Sequence, residues 1–488
     1  MVIESLKYKI LQQFGFAPTQ EQGQALDTFV SFLTDRDPQA VMILRGSAGT
    51  GKTSLSGAIV RTLLQIRQKV MLLAPTGRAA KVFSLGSGAP AYTIHRRIYR
   101  EKAFAGVDGQ FSLNDNLYTD TLFVVDEASM IANMGLGGTT FGSGCLLDDL
   151  VKFVYQGHND RLLLIGDKAQ LPPVGEEESP ALSASVMEGY GLKVYECDLN
   201  EVLRQSQSSG ILYNATLIRQ MITHDAVTGL PLIRFKGFAD IVMMPGAELV
   251  ESLGDSYHHV GMDETMVITR SNKRANIYNN GIRNMVLDRE EELSSGDMLM
   301  IVKNNYFWTE KEKKESGEGS AGAVPAFLAN GDRAKVLRVS NYIELYGFRF
   351  ATLLLQLPDY DDYEMQVTGM LDTLQSEAPA LTHEQQEELF RQVEEDYQHF
   401  VPLKADRMKS IRQDAYLNAL QIKYAYAVTC HKAQGGQWAH VYVDQGYMTD
   451  DMLTPDYIHW LYTAFTRATD KLFLVNWPKE QTCEPTDL

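Results

Sequence analysis

The segment Gly46-Ser-Ala-Gly-Thr-Gly-Lys-Thr53 constrains this chain more than any other stretch. It fits G-x-x-x-x-G-K-[ST]. It lies between an apolar run, Ala40-Val-Met-Ile-Leu44, and a helix-like segment from Lys52 to Arg67. A strand that turns through glycines into a helix wraps backbone N–H groups around an anion. The helix N-terminus adds its partial positive charge. The spacing therefore predicts a phosphate cradle from Gly46, Ser47, Ala48, Gly49, Thr50, Gly51, Lys52, Thr53 and Ser54. Lys52 is placed to reach the β- and γ-phosphates of ATP, and Thr53 to ligate Mg²⁺.

Further apolar runs follow at Lys69–Ala74, Thr121–Val125 and Arg161–Ile165, with helix-like stretches between them. Short continuous runs of this kind suit strands buried on both faces of a parallel sheet. The third run ends in Asp126-Glu127. Beside a phosphate cradle, Asp126 is expected to hold Mg²⁺ and Glu127 to polarise an attacking water. Taken alone, a strand followed by two acids also reads as a helix cap. The fourth run leads into Gly166-Asp-Lys-Ala-Gln170. In a parallel sheet this turn can end at the ligand-binding edge, with Gln170 placed to sense the γ-phosphate. A plain surface turn is the alternative.

The chain has 488 residues and a net charge of −17, which argues at first against a nucleic-acid partner. The distribution weakens that argument. Residues 359–398 hold twelve acids and one base, Arg391, and so account for −11 of the total. The rest of the chain is near enough to neutral for a local basic channel. The four cysteines show neither a metal-ligand spacing nor a disulfide framework. There is no signal-like N-terminus and no run of 18 apolar residues, so a cytoplasmic protein without a membrane span is expected.

A second strand set appears at Met266–Thr269, Ala439–Val443 and Lys471–Val475. Residues 330–423 break its rhythm. Asn330-Gly-Asp332 signals a turn, 333–357 alternate in β fashion, and 380–400 read as an acidic helix. This stretch is read as an insertion into a second α/β domain. Lys311–Gly322 reads as a low-complexity loop, and Asn133–Gly144 carries five glycines without an evident role.

The motifs and their order resemble superfamily 1 helicases, in particular the Dda-like and RecD-like enzymes of subgroup B. Leu73-Ala-Pro-Thr-Gly-Arg-Ala-Ala80 is similar to motif Ia and Tyr92-Thr-Ile-His95 to motif Ib. Leu199–Gln205 is similar to a motif that supplies an arginine finger, Val428–Gly435 to motif V and Leu461–Ala468 to motif VI. Thr19-Gln-Glu-Gln22 resembles the Q motif. The resemblance implies that Gln22 pairs with the adenine edge and that Arg204 and Arg467 reach phosphate across a cleft. It implies single-stranded DNA contacts at Pro75, Thr76, Arg78, Thr93 and His95, and at Thr429, His431 and Lys432. Gln437 stands where many members carry a ribose-holding acid.

Two RecA-like domains are implied, with a β-hairpin and an SH3-like β-barrel inserted. The expected division is 1–99 with 120–198 for the first domain, 100–119 for the hairpin, 199–329 with 424–488 for the second, and 330–423 for the barrel. The hairpin is implied to split the duplex. Phe111 either stacks at the fork or merely packs the hairpin onto its domain. The expected function is an ATP- and Mg²⁺-dependent helicase that moves 5′ to 3′ on single-stranded DNA and acts at junctions, as a monomer. Rival readings are a translocase that unwinds only with protein partners from replication or recombination, an enzyme acting on RNA, and a non-catalytic recruitment module. Lys52→Ala is expected to abolish ATP hydrolysis, and retained turnover would remove the phosphate-cradle assignment.

Overall fold

A computed structural model describes residues 2–101, 111–135, 142–201, 208–223, 229–316, 324–325, 327–401, 403–449 and 452–483. The chain divides into two compact units. One holds the described residues up to Gly246 and from Ala433 onward, and the other runs from Ala247 to Lys432.

The first unit is built on a six-stranded parallel sheet. Its order is Ala91–Thr93, Lys69–Ala74, Thr121–Val125, Arg161–Gly166, Ala40–Gly46 and Lys193–Leu199. Both faces are covered, which explains why the strands read as continuous apolar runs. Successive side chains still alternate. Met42, Leu44, Leu163, Ile165, Leu122 and Val124 enter one core with Ile10, Phe29 and Leu55. Val41, Ile43, Leu162, Leu164, Phe123 and Val125 enter the other with Ile98, Leu150 and Phe153. Because every strand runs the same way, the loops after residues 46, 125 and 166 leave from one edge.

Between these strands, Tyr99–Glu101 pairs antiparallel with Phe111–Leu113. This is the foot of the expected hairpin. The tip, including Val107-Asp-Gly109, lies outside the described residues. The first unit also holds helices Gly210–Thr223 and Pro455–Phe465, and a parallel set in the order Trp438–Asp444, Ala468–Val475 and Ile241–Met244.

In the second unit, Thr265–Thr269 pairs in parallel with Ala427–Thr429. A closed five-stranded barrel is formed by Met298–Ile301, Arg333–Leu345, Phe348–Leu357, Tyr363–Met370 and Leu420–Tyr424. Closure removes the exposed edges that a short sheet would otherwise offer. The acidic helix spans His383–Phe400 and starts at a Thr382/Gln385 capping box. Its Leu389 and Val393 pack with Phe350 and Ile411 against the barrel, while its acids face outward. These are the elements of two RecA-like domains with a barrel insertion. One local expectation fails. Residues 311–316, read as loop, continue a helix that begins at Phe307, because the repeated Glu and Lys residues favour a helix. Residues 317–323 lie outside the described set.

Asp297 leads into the first barrel strand and is wholly buried. It accepts from Arg283 Nε and Nη2 at 3.0 Å each, from Arg289 Nη1 at 2.6 Å, and from Tyr426 Oη at 2.7 Å. Burial alone would raise its carboxyl. The hydrogen bonds from Arg283, Tyr426 and the Ser294 N–H outweigh that and hold it below the usual carboxylate range. Asp297→Ala leaves Arg283 buried and unpaired, and is expected to cost about 3–5 kcal/mol. Urea or thermal unfolding followed at the second unit's aromatics checks this.

Candidate nucleotide site and nucleic-acid face

Strand Ala40–Gly46 is buried along its whole length and delivers the phosphate loop at a fixed depth. Gly49 and Gly51 adopt φ of 77° and 76°. A side chain would be strained at both. Gly51 precedes helix Lys52–Gln65, and no side chain caps that helix. Its first N–H groups are therefore left to an anion. Lys52 Nζ donates to the Gly46 carbonyl at 2.7 Å and lies across the loop mouth. Gly46 is needed for space, since a Cβ there would come within 3.2 Å of Leu199 Cβ. Thr53 and Ser54 are exposed on the first helical turn.

Gln22 is buried against this loop. Its Nε2 donates to the Thr50 carbonyl at 2.9 Å, and its Oε1 accepts from Thr19 N in a capping box. Both ends of the amide are thus engaged within the protein, so the arrangement braces the loop instead of presenting an open edge to adenine.

Asp126 and Glu127 follow strand Thr121–Val125. Asp126 N donates to the Leu73 carbonyl, which fixes the turn. Glu127 adopts φ 52° and ψ 37°, a left-handed conformation that costs a non-glycine residue about 1–3 kcal/mol. Burial, and then the charge of Glu127, push the Asp126 carboxyl up against the pull of Lys52. A nearby cation would relieve that. Gln170 is buried, and its Oε1 has no hydrogen-bond partner among the described residues. A buried acceptor left open at this edge fits a donor from a ligand or water.

These residues fit a Mg²⁺–nucleotide: uncapped amides and Lys52 for phosphate, Thr53 and Asp126 for the cation. Among the described residues no group of three His, Cys, Asp or Glu is placed to hold a metal. The protein would then supply only two Mg²⁺ ligands, leaving the rest to phosphate and water.

Arg467 is buried and engaged with the protein. Its Nε donates to the Thr463 carbonyl at 3.0 Å, Nη1 to the Gly436 carbonyl at 3.1 Å and Nη2 to Thr466 Oγ1 at 3.2 Å. Arg204 lies outside the described residues. Gln437 is exposed, and its carbonyl accepts from Arg78 Nη2 at 2.7 Å. That contact places Gln437 beside motif Ia instead of beside the phosphate loop.

Two residues that sequence reasoning passed over lie on the loop itself. Tyr462 Oη accepts from Ala48 N at 3.0 Å and donates to Asp167 Oδ2 at 2.6 Å. Arg219 Nη1 donates to Ser47 Oγ at 2.9 Å, and Nη2 donates to Asn200 Oδ1. Tyr462 was visible only as one letter of motif VI, and Arg219 belongs to no motif.

On the nucleic-acid side, Thr76 and Thr93 each cap a helix, accepting from Ala79 N and Arg96 N. They place two helix N-termini beyond neighbouring strands, where a phosphate is favoured. Pro75 is half-buried between them. Arg78 stacks over Trp438 at 4.8 Å from the ring centroid. Gly435, at φ 72°, closes against Thr76 and Ala79. His95 is half-buried and lies 5.7 Å from the Tyr99 ring. Burial pushes its imidazole down to about 4, against an opposing pull from Asp149, so it is uncharged at neutral pH. Any contact it made with a phosphate would therefore be a neutral hydrogen bond and not a cationic one. Phe111 sits at the hairpin foot, partly buried on the domain core. This contact corresponds to the packing alternative.

In the second unit, Thr429 ends its strand half-buried, and His431 is exposed on helix Cys430–Ala433. Lys432 Nζ donates to Asn330 Oδ1. Burial, and then repulsion from Lys423, lower its ammonium to about 8.

A P-loop NTPase with two RecA-like domains is the class that this fold and site define. An AAA domain family model matches residues 17–229, and a UvrD-like helicase C-terminal domain model matches 424–475. The chain is 30% identical over 157 residues to the ATP-dependent RecD2 DNA helicase of Deinococcus radiodurans, covering 32% of this chain and 18% of that protein. It is 25% identical over 267 residues to the ATP-dependent DNA helicase dda of Enterobacteria phage T4, covering 53% and 55%. Two curated relatives, at 33% and 30% identity, are matched over only 13% and 18% of their own lengths. Among solved structures, a Pif1 helicase from Bacteroides in complex with ADP-AlF3 and ssDNA aligns over 96% of this chain and 95% of that one, at 14% identity and a TM-score of 0.46. Over the stretches that these models and relatives cover, the chain is similar to ATP-dependent DNA helicases, and its motif order resembles superfamily 1B.

His95 also makes a pH test. Its folded value of about 4 lies below its ordinary 6.5, so the stability it contributes is complete above pH 6.5 and lost as pH falls through 4. His95→Gln is expected to flatten the melting temperature across this window; an unchanged slope would refute the assignment.

Proposed function

We propose that the chain is an ATP- and Mg²⁺-dependent motor that moves 5′ to 3′ on single-stranded DNA and opens duplex at junctions. One observation carries this reading: neighbouring strands of a single parallel sheet deliver Lys52, Asp126 with Glu127, and Gln170 to the same edge. Lys52 and the loop amides hold phosphate oxygens, and Thr53 with Asp126 hold the cation. Glu127 accepts a proton from the attacking water, while the open Oε1 of Gln170 orients that water. Arg467 and Arg204 supply positive charge to the transferred phosphoryl group.

Support for a nucleic-acid track comes from the capped helices at Thr76 and Thr93, from Arg78, and from Thr429, His431 and Lys432 on the second unit. The two named helicase relatives support DNA as the substrate, and subgroup resemblance supports the polarity. The domain division given by the sequence is retained here, with the hairpin tip as the separating element. None of the four cysteines is in a disulfide, which supports a reducing compartment such as the cytoplasm. A monomer is proposed, since each assigned role falls on this chain.

A duplex carrying either a 5′ or a 3′ single-stranded tail, with ATP and Mg²⁺, tests the proposal. Opening of the 5′-tailed DNA alone is expected. Opening of the 3′-tailed DNA alone would overturn the polarity. DNA-stimulated hydrolysis without opening would favour a partner-dependent translocase.

A further inference from the structure

The phosphate loop is held from outside by a residue that the catalytic roles do not use. Tyr462 lies on helix Pro455–Phe465 and is 1% exposed. Its hydroxyl accepts the Ala48 N–H at 3.0 Å and gives its own hydrogen to Asp167 at 2.6 Å. Asp167 follows strand Arg161–Gly166 and is itself buried. Its other oxygen accepts from Ala169 N at 3.0 Å. Burial, and then Asp167, push the phenol far above its ordinary range, so the hydroxyl stays neutral and keeps its proton. The same helix is stitched along this turn, with Leu171 N donating to Thr463 Oγ1 at 2.8 Å and His459 Nδ1 lying 2.9 Å from the Ala169 carbonyl.

Ala48 belongs to the segment whose N–H groups wrap phosphate. An N–H already given to a tyrosine cannot also be given fully to a phosphate oxygen. We propose that Tyr462 is a latch on the phosphate loop: it competes with a nucleotide phosphate for the Ala48 N–H, so a phosphate that takes that bond frees Tyr462 from the loop. The proposal rests on the nucleotide reading of the phosphate loop. It makes Tyr462 a positioning residue that links loop occupancy to Asp167 and to helix Pro455–Phe465.

Linkage fixes the sign of the effect. A bond that the ligand must displace opposes ligand binding by its own free energy. Removing it should tighten binding, whereas loss of a merely structural contact should not. The test measures the Kd of adenylyl imidodiphosphate with Mg²⁺ for the full-length chain. Tyr462→Phe deletes only the hydroxyl and is expected to lower Kd about three- to tenfold, as one neutral hydrogen bond allows. The analogue should also raise the melting temperature of Tyr462→Phe by more than it raises that of the parent. Asp167→Asn weakens the hold on the same hydroxyl and should shift Kd in the same direction by less. It carries the test alone if Tyr462→Phe does not fold. A variant Kd equal to or above the parent value overturns the latch while leaving the nucleotide site intact. No binding by the parent overturns both.

Discussion

Everything at the nucleotide edge hangs on one buried strand that ends in a turn only glycine can make. Ala40–Gly46 is covered on both faces, so it cannot slide without exposing one core or the other. The chain then reverses through Gly49 and Gly51 in the left-handed region, and Lys52 closes the turn onto the Gly46 carbonyl. The large apolar core thereby positions a small polar site. Hydrophobic burial is not directional, but a parallel ladder with both faces buried sets a register.

That register places the rest of the site. Arg45 pairs with Gly166, and Val125 pairs with Leu164. Asp126, Asp167 and the phosphate loop therefore emerge at nearly the same height. The backbone then aims the acids: Glu127 sits in a strained left-handed conformation directly after Asp126, a cost that persists only where surrounding structure fixes it. A one-residue slip would send both carboxylates to the opposite face.

Much of this was legible from sequence because its causes are local. A glycine turn between a strand and a helix, apolar runs of strand length, and acids at a strand end all leave marks within ten residues. The acidic helix and the β alternation after Arg333 were legible for the same reason. What escaped depended on partners far along the chain. Gln22 looked like an adenine contact, yet its amide is spent on Thr19 and Thr50, twenty-eight residues away in the latter case. Nothing local marks Tyr462 as the partner of Ala48, since the pairing spans 414 positions. Arg219 offers no motif at all. Phe111 could be assigned either way, because the same residue suits a fork tip or a hairpin foot, and only packing against the core distinguishes them. The barrel was implied only by the family resemblance and not by local pattern, because its closure brings Met298–Ile301 to Leu420–Tyr424 across more than a hundred residues.

Arg467 shows a further property. Its guanidinium is not idle: it holds the carbonyls of Thr463 and Gly436 and the hydroxyl of Thr466. To serve a phosphate it must trade those bonds for others. A traded hydrogen bond leaves only a small difference between the two arrangements. In the proposed role, the gain from binding a phosphate is therefore the difference between the two sets of bonds and not the full strength of the new one. An exchange of this kind is reversed by a smaller free-energy change than breaking the same bonds outright, a property that the proposed motor would use in every cycle.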